Sequence, residues 1–279
     1  MLPPRTAPRP GHAPRAPRLI LAAASACLAA APLVLAVTPA SASTVNYVAM
    51  GDSYASGLGA GNYSGGSCDR SSGAAGQLWA NANAPGSFAF VACAGATTAD
   101  VINSQVSALS SATTLVSVTI GGNDVGFTDV MITCVLGSTS DCVNAVSNAE
   151  NEASTQLPGE LDNAFATIRN DAPSAKVVVV GYPEFYDLAK SSGCIGLSTT
   201  DRQALNGGAD VIDAQEQAAA ARHGFRWSDV RSAFAGHEIC DSASWLHSTD
   251  WLNLSDSYHP TANGQSNAYY PVLSAGIAG

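Results

Sequence analysis

Val177-Val178-Val179-Val180 is the stretch that most restricts how this chain can fold. Four consecutive β-branched residues favour an extended strand over a helix. An apolar run without alternation has no polar face to give to water, so the strand, over Lys176–Gly181, is expected to be buried on both sides. Two other strand-like runs, Val45–Met50 and Leu115–Ile120, come before it, and a short one near Phe225–Trp227 follows. Helical patterns lie between them. Thr98 can cap a helix over Ala99–Leu109, and Ala145–Asn170 is long and amphipathic, with Leu161, Ala164 and Ile168 at helical spacing. Thr200–His223 is rich in Ala and Gln and ends at Gly224, a good C-cap residue; Asn263–Ala275 forms a closing helix after Pro260. Strands alternating with helices imply an α/β fold with a parallel sheet covered on both faces. Ligands of such sheets bind beyond the carboxyl ends of the strands.

Residues 1–42 read as a signal peptide rather than as part of this fold. Arg5, Arg9, Arg15 and Arg18 form a basic start, Leu19–Val37 is apolar, and Ala40-Ser41-Ala42 fits the small-residue cleavage rule. The apolar run is of borderline length for a single transmembrane anchor, but the cleavage site directly after it favours a leader. Cys27 does not fit a lipoprotein cysteine, because Ala24 stands where such signals usually carry Leu and the apolar run continues past it. Residues 43–279 are ample for one cored domain and short for two. Of 12 Lys and Arg four lie in the leader, leaving eight cations against 22 carboxylates, a formal charge of −14. That balance argues against a nucleic-acid partner and against docking on anionic membranes, and it suits a soluble extracellular protein.

Seven cysteines less Cys27 leave Cys68, Cys93, Cys134, Cys142, Cys194 and Cys240. An even number in an exported chain suggests disulfides, with fifteen possible connectivities, of which the sequential one is simplest. No Cys-x-x-Cys pair and no histidine at ligand spacing lies near them, which disfavours zinc.

Four short blocks carry chemistry. In Tyr47-Val48-Ala49-Met50-Gly51-Asp52-Ser53-Tyr54 a strand stops in a Gly-Asp-Ser turn, which exposes the Ser53 hydroxyl with a backbone N–H beside it. A nucleophilic serine needs both: reach, and a donor for the oxyanion it creates. The tripeptide alone also suits a capped turn. In Cys93-Ala94-Gly95-Ala96-Thr97-Thr98, Gly95 can bring its N–H close to a substrate oxygen with no side chain in the way. In Gly121-Gly122-Asn123-Asp124 the glycines permit a sharp turn that frees the Asn123 amide, a neutral donor suited to a developing oxyanion. In Asp256-Ser257-Tyr258-His259-Pro260 the Asp256 carboxylate can accept from His259 Nδ1–H, leaving Nε2 as the base for Ser53. His223, His237 and His247 lack such a neighbour and are expected to be structural.

These blocks, in this order, resemble the GDSL or SGNH hydrolase superfamily, named for a Ser, Gly, Asn and His in four separate blocks; here these are Ser53, Gly95, Asn123 and His259. The six cysteines and the Tyr54-Ala55-Ser56-Gly57 continuation are similar to its secreted actinobacterial lipase and esterase branch. The resemblance implies a three-layer α/β/α sandwich with a five-stranded parallel sheet, flavodoxin-like, over residues 43–279. It also implies sequential pairing, Cys68–Cys93, Cys134–Cys142 and Cys194–Cys240, with Cys93 anchoring the Gly95 loop. No Gly-x-Ser-x-Gly elbow surrounds Ser53, which disfavours the α/β-hydrolase fold. Some relatives lack the aspartate and orient the histidine with the carbonyl two residues before it, here that of Ser257. The Asp-x-x-His spacing favours Asp256.

The expected protein is therefore a secreted serine ester hydrolase, a lipase or carboxylesterase. Ser53 is the nucleophile, His259 the base and Asp256 its orienting acid. Ser53, Gly95 and Asn123 form the oxyanion hole, and no metal or organic cofactor is called for. Lipid acyl esters are the expected substrates, with phospholipase A1 and polysaccharide O-acetyl esterase as alternatives within the class and a non-catalytic binding module as one outside it. A monomer without membrane insertion is expected. Tyr54, Leu58, Phe127, Tyr182 and Trp251 are candidates for the pocket wall.

Overall fold

Val178 and Val180 face one apolar core and Val177 and Val179 the other, the period of two that a doubly buried strand requires. All four are nearly inaccessible to water, and full burial of a valine side chain is worth roughly 1.5–3 kcal/mol. The computed structural model describes residues 44–279; the expected leader, residues 1–42, lies outside them.

The chain runs β1 (Asn46–Gly51), α1 (Ser53–Ser56), β2 (Tyr63–Ser64), β3 (Arg70–Ser71), α2 (Ala75–Asn83), β4 (Ser87–Phe90), α3 (Thr98–Asn103) and β5 (Leu115–Thr119). It continues with α4 (Phe127–Leu136), α5 (Thr139–Thr155), α6 (Leu157–Asp171), β6 (Lys176–Val180), α7 (Thr199–Arg222), β7 (Arg226–Ser228) and α8 (Arg231–Phe234). It closes with α9 (Ala262–Gly264), a π turn (Gln265–Tyr269) and α10 (Tyr270–Ala278). Five strands form one parallel sheet in the order β4-β1-β5-β6-β7, in register through Val48↔Ala89, Val48↔Val116, Val116↔Val177 and Val179↔Trp227. β2 and β3 make a separate antiparallel pair. Leu161, Phe165 and Ile168 of α6 pack on one face of the sheet, with Ala219 and Ala220 of α7; α2 and α10 cover the other through Trp79 and Leu273. The result is the expected three-layer α/β/α sandwich.

Several elements differ from their expected form. The helix anticipated over 145–170 is two helices. α5 begins earlier, at a Ser138–Asp141 capping box, and the chain restarts at α6 with Pro158 in its first turn. A proline lacks the N–H that a continuous helix would need there and fits a first turn. Thr97, not Thr98, caps α3, through a box with Asp100. β4, α2 and α4 were not anticipated. β4 is a four-residue edge strand paired only with β1. The six cysteines pair as Cys68–Cys93, Cys134–Cys142 and Cys194–Cys240.

Candidate active site

Gly51 ends β1 at φ 124, and a Cβ there would sit 2.2 Å from the Thr119 carbonyl oxygen, so only glycine lets the chain turn against β5. Buried Gln105 brackets this peptide: its Oε1 accepts from Gly51 N–H at 2.7 Å and its Nε2 donates to Gly51 O at 2.8 Å. Asp52 N–H donates to Thr119 O at 3.0 Å, and the Asp52 carboxylate caps α1 by accepting from Tyr54 N–H at 2.9 Å. Tyr182 Oη donates to the other Asp52 oxygen and accepts from Gly122 N–H at 3.0 Å. Tyr182 thus ties the Gly-Asp-Ser turn to the Gly-Gly-Asn turn. Burial pushes the Asp52 carboxyl up to about 7, against the pull of its Tyr182 and main-chain donors. Ser53, the first residue of α1, therefore projects from a turn held by Gln105, Thr119 and Tyr182, and its N–H belongs to the first helical turn, where no intrahelical acceptor exists.

His259 Nε2 lies 2.7 Å from Ser53 Oγ. Its Nδ1 lies 3.0 Å from the Ser257 carbonyl oxygen. Asp256 is elsewhere: its carboxylate accepts from Tyr63 Oη at 3.0 Å, and only its main-chain carbonyl meets His259, accepting the N–H at 3.1 Å. The expectation that the Asp256 side chain orients the ring is thus corrected in favour of the main chain. The reason is local. Leu254–Asp256 forms a 3₁₀ turn and Tyr258 takes a left-handed φ of 65, so the chain doubles back and brings the Ser257 carbonyl under the imidazole. Such a conformation is uncommon for a bulky residue. Here Tyr54 Oη, donating to Tyr258 O at 2.7 Å, and the Tyr186 and Thr249 hydroxyls on Tyr258 Oη hold it. His247 braces the same segment, with its N–H on His259 O at 2.9 Å and its Nε2 2.8 Å from Gly59 O. Burial pushes the His259 imidazole down to about 4, and the Ser257 carbonyl opposes that shift. Asp256→Ala is accordingly expected to lower kcat less than tenfold, since the acceptor on Nδ1 survives. Steady-state kinetics on a soluble ester check this, and a loss of 10²-fold or more would restore the carboxylate to the catalytic group.

Gly95 has φ 79 and open space where a Cβ would be. Its loop is fixed by the Cys68–Cys93 disulfide, by Ala94 N–H on Cys68 O at 3.1 Å and by Ala96 N–H on Cys93 O at 3.1 Å. Asn123 Nδ2 donates to Ala96 O at 2.9 Å, which leaves the second hydrogen of that amide for the cleft. Asp124 joins the two loops again, accepting from Thr98 N–H at 3.0 Å and Thr98 Oγ1 at 2.6 Å. Ser53, Gly95, Asn123 and His259 line a single cleft of about 360 Å³, together with the expected Leu58, Phe127 and Trp251. Tyr54 and Tyr182 do not line it; they are buried beneath and position its parts. Gln105, Tyr182 and Asp124 therefore matter in ways the sequence reading did not assign. Asp124 sat beside Asn123 within a recognised block, whereas Gln105 and Tyr182 carry no local pattern.

His223 and His237 lie away from the cleft, His223 against Asp162 and His237 stacked on Trp245. A serine hydroxyl bonded to a buried imidazole, with amide donors beside a cleft at the strands' carboxyl ends, is the arrangement of a serine hydrolase. The model of the GDSL-like Lipase/Acylhydrolase family matches residues 49–266. The chain is 50% identical over 256 residues to Lipase 1 of Streptomyces coelicolor, across 91% of this chain and 94% of that protein. The crystal structure of phospholipase A1 from Streptomyces albidoflavus NA297 is 52% identical, with a TM-score of 0.81 over 83% of this chain and 98% of that one. That of an extracellular lipase from Streptomyces rimosus is 48% identical, with a TM-score of 0.81 over 83% and 99%. The chain belongs to the GDSL-like lipase/acylhydrolase family and is an ester hydrolase.

Proposed function

We propose that the protein is a secreted lipase that cleaves acyl esters of lipids through a Ser53 acyl-enzyme. Ser53 Oγ attacks the ester carbonyl while His259 Nε2 takes its proton. The Ser53 and Gly95 N–H groups and the Asn123 amide receive the oxyanion. As the intermediate collapses, His259 returns the proton to the leaving alcohol. Water, deprotonated by the same imidazole, then releases the acid. The Ser257 carbonyl favours the Nδ1–H tautomer and stabilises the imidazolium as it forms, so the reading is a Ser53–His259 dyad held by main chain. Every proton and electron pair has a named partner in the chain or substrate, so no cofactor is invoked.

The observation that carries the lipid reading is the wall of the 360 Å³ cleft, where Leu58, Phe127, Met131, Val135 and Leu136 line the same space as Ser53. A fatty acyl chain fills such a wall, whereas an acetyl group leaves most of it empty. Phospholipase A1 activity is the second reading, favoured by the 52% identity to the Streptomyces albidoflavus enzyme. A panel of p-nitrophenyl esters of rising chain length, a triacylglycerol, a phosphatidylcholine and an acetylated xylan tests both. A preference for acetyl esters and xylan would overturn the lipid reading.

The acid limb of the pH profile follows from His259. The base is needed uncharged, and the buried ring takes up its proton only near pH 4. The kcat/KM of the free enzyme on a soluble ester is expected to fall with a midpoint near pH 4, well below the 6.5 of an exposed imidazole. A midpoint at pH 6–7 that persists in Asp52→Asn, which removes the carboxyl that burial pushes up to about 7, would show that the ring is solvated in the working enzyme.

Secretion after removal of residues 1–42 is part of the proposal. It is supported by three disulfides, which persist in oxidising compartments, and by the description of the Streptomyces rimosus relative as extracellular. Among the described residues, no helix is long and apolar enough to cross a membrane. The reading includes a monomer with no nucleic-acid partner, in keeping with the formal charge of −14 left by eight cations and 22 carboxylates.

A further inference from the structure

Seven large hydrophobic side chains are exposed among the described residues; apart from Tyr63, they line the cleft, share a crevice with Trp251 or, as Leu252, follow Trp251 directly in the chain. Ile132 and Leu136 lie one turn apart on α4 and form one lip. Trp251 and Leu254 form the other, on the loop that leads to His259, and the exposed Leu252 lies between them in the chain. Ile195 extends the patch across a crevice that it shares with Trp251. Leu252 is 99% exposed, Ile195 95% and Trp251 65%. Contiguous apolar surface of this kind is rare on a soluble chain unless something covers it. Four of these six side chains also line the catalytic cleft, so the patch and the acyl path are continuous.

Charge selects the occupant. No Lys or Arg occurs in 127–136, 194–198 or 249–257, whereas Asp129, Asp250 and Asp256 do. The nearby Lys190 is paired with Asp187 and Asp241. An anionic bilayer is repelled by such a face. A phosphatidylcholine-type surface places its quaternary ammonium outermost, where carboxylates beside an apolar centre meet it favourably, and an indole suits the headgroup level.

We propose that this face is a docking surface for zwitterionic phospholipid interfaces, on which Trp251, Leu252 and Leu254, with Ile132, Leu136 and Ile195, seat the protein with the cleft facing the lipid. The inference rests on the reading of the cleft as a lipid-ester site. A soluble short ester needs only the cleft; an aggregated lipid needs the face as well. Leu252 and Ile195 do not line the cleft, so their replacement separates docking from catalysis.

The test uses Ser53→Ala protein, which leaves lipid intact, and vesicles of dioleoylphosphatidylcholine. Binding is read by co-sedimentation and by a blue shift of indole fluorescence as Trp251 leaves water. Adding Leu252→Ser and Ile195→Ser is expected to weaken binding about tenfold or more. The same two substitutions in the Ser53 enzyme are expected to leave hydrolysis of monomeric p-nitrophenyl butyrate within twofold of wild type, which also reports that the fold is intact. Should the pair fail to fold, Leu252→Ser alone is expected to weaken binding about threefold. Replacing half of the lipid with phosphatidylglycerol is expected to weaken binding further at low salt, and added salt to restore it. Unchanged vesicle binding by a folded Leu252→Ser, Ile195→Ser protein overturns the proposal, as does tighter binding to phosphatidylglycerol. A concentration-dependent dimer that Leu252→Ser abolishes also overturns it, since a second copy would then cover the face. Failure of the catalytic reading shows separately, as wild-type protein that hydrolyses no monomeric ester.

Discussion

Ser53→Ala and His259→Ala are each expected to lower kcat by about 10⁴–10⁶-fold, with the double variant little worse than either single one. The expectation follows from one contact, the 2.7 Å between His259 Nε2 and Ser53 Oγ. Without the hydroxyl there is nothing to acylate. Without the imidazole the hydroxyl keeps its proton at neutral pH, and the leaving alcohol has no acid. Each loss removes the same step, so the second adds little. A residual rate above water is expected from the amide donors and the cleft. Ser53→Ala is also expected to stay folded, because among the described residues the hydroxyl's hydrogen bond is to His259, whereas the turn that carries it is held by Gln105, Thr119 and Tyr182. Stopped-flow or steady-state rates on a soluble ester, with thermal melts of each variant, check this. A single variant that keeps a tenth of wild-type kcat would falsify the dyad.

The parts of this protein that were legible in its sequence are those in which the chemistry is local. Val177–Val180 announces a doubly buried strand, because side-chain branching and burial act residue by residue. Gly51-Asp52-Ser53 and Gly121-Gly122-Asn123 announce turns at strand ends, because their backbone geometry is written in adjacent glycines. The sequence does not say which of two neighbouring acceptors a ring will choose. Asp256 and the Ser257 carbonyl compete for His259 Nδ1 within four residues, and a left-handed Tyr258 decides between them. That conformation is imposed by Tyr54, Tyr186 and Thr249, two of them distant in the chain, and so it leaves no local signature. Gln105 and Tyr182 are the same case. Each bonds a turn more than fifty residues away, Gln105 at Gly51 and Tyr182 at Asp52, and a lone Gln or Tyr in a sequence looks like any other. β4 escaped notice for a different reason: four residues at the sheet edge carry too little pattern to stand out. The division of the long helix was visible in principle at Pro158, but continuous amphipathicity outweighed it.

Asn123→Ala is expected to lower kcat by about 10²–10³-fold while changing KM little, the loss of ~3–4 kcal/mol that follows removal of one oxyanion donor. The proposed oxyanion role gives this side chain two tasks. One hydrogen of Nδ2 is held by Ala96 O at 2.9 Å, and the other is left for the oxyanion in the cleft that Asn123 lines with Ser53. A purely structural Asn123 would act through the Gly95 loop, but that loop has independent ties in Cys68–Cys93 and in Asp124 on Thr98. Loss of the Ala96 contact alone is therefore expected to move the thermal midpoint slightly and to leave substrate binding in place. The oxyanion exists only after Ser53 has attacked, so a donor to it acts on the transition state and not on the bound ester. Asn123→Asp sharpens the distinction. A carboxylate offers no donor and repels the developing negative charge, so this variant is expected to be slower than Asn123→Ala despite its closer shape. Comparing kcat and KM separately for the two variants checks the assignment. A defect confined to KM, or an Asn123→Asp enzyme faster than Asn123→Ala, would mean that the amide holds the substrate or the loop, and the oxyanion would then have to rest on the Ser53 and Gly95 N–H groups alone.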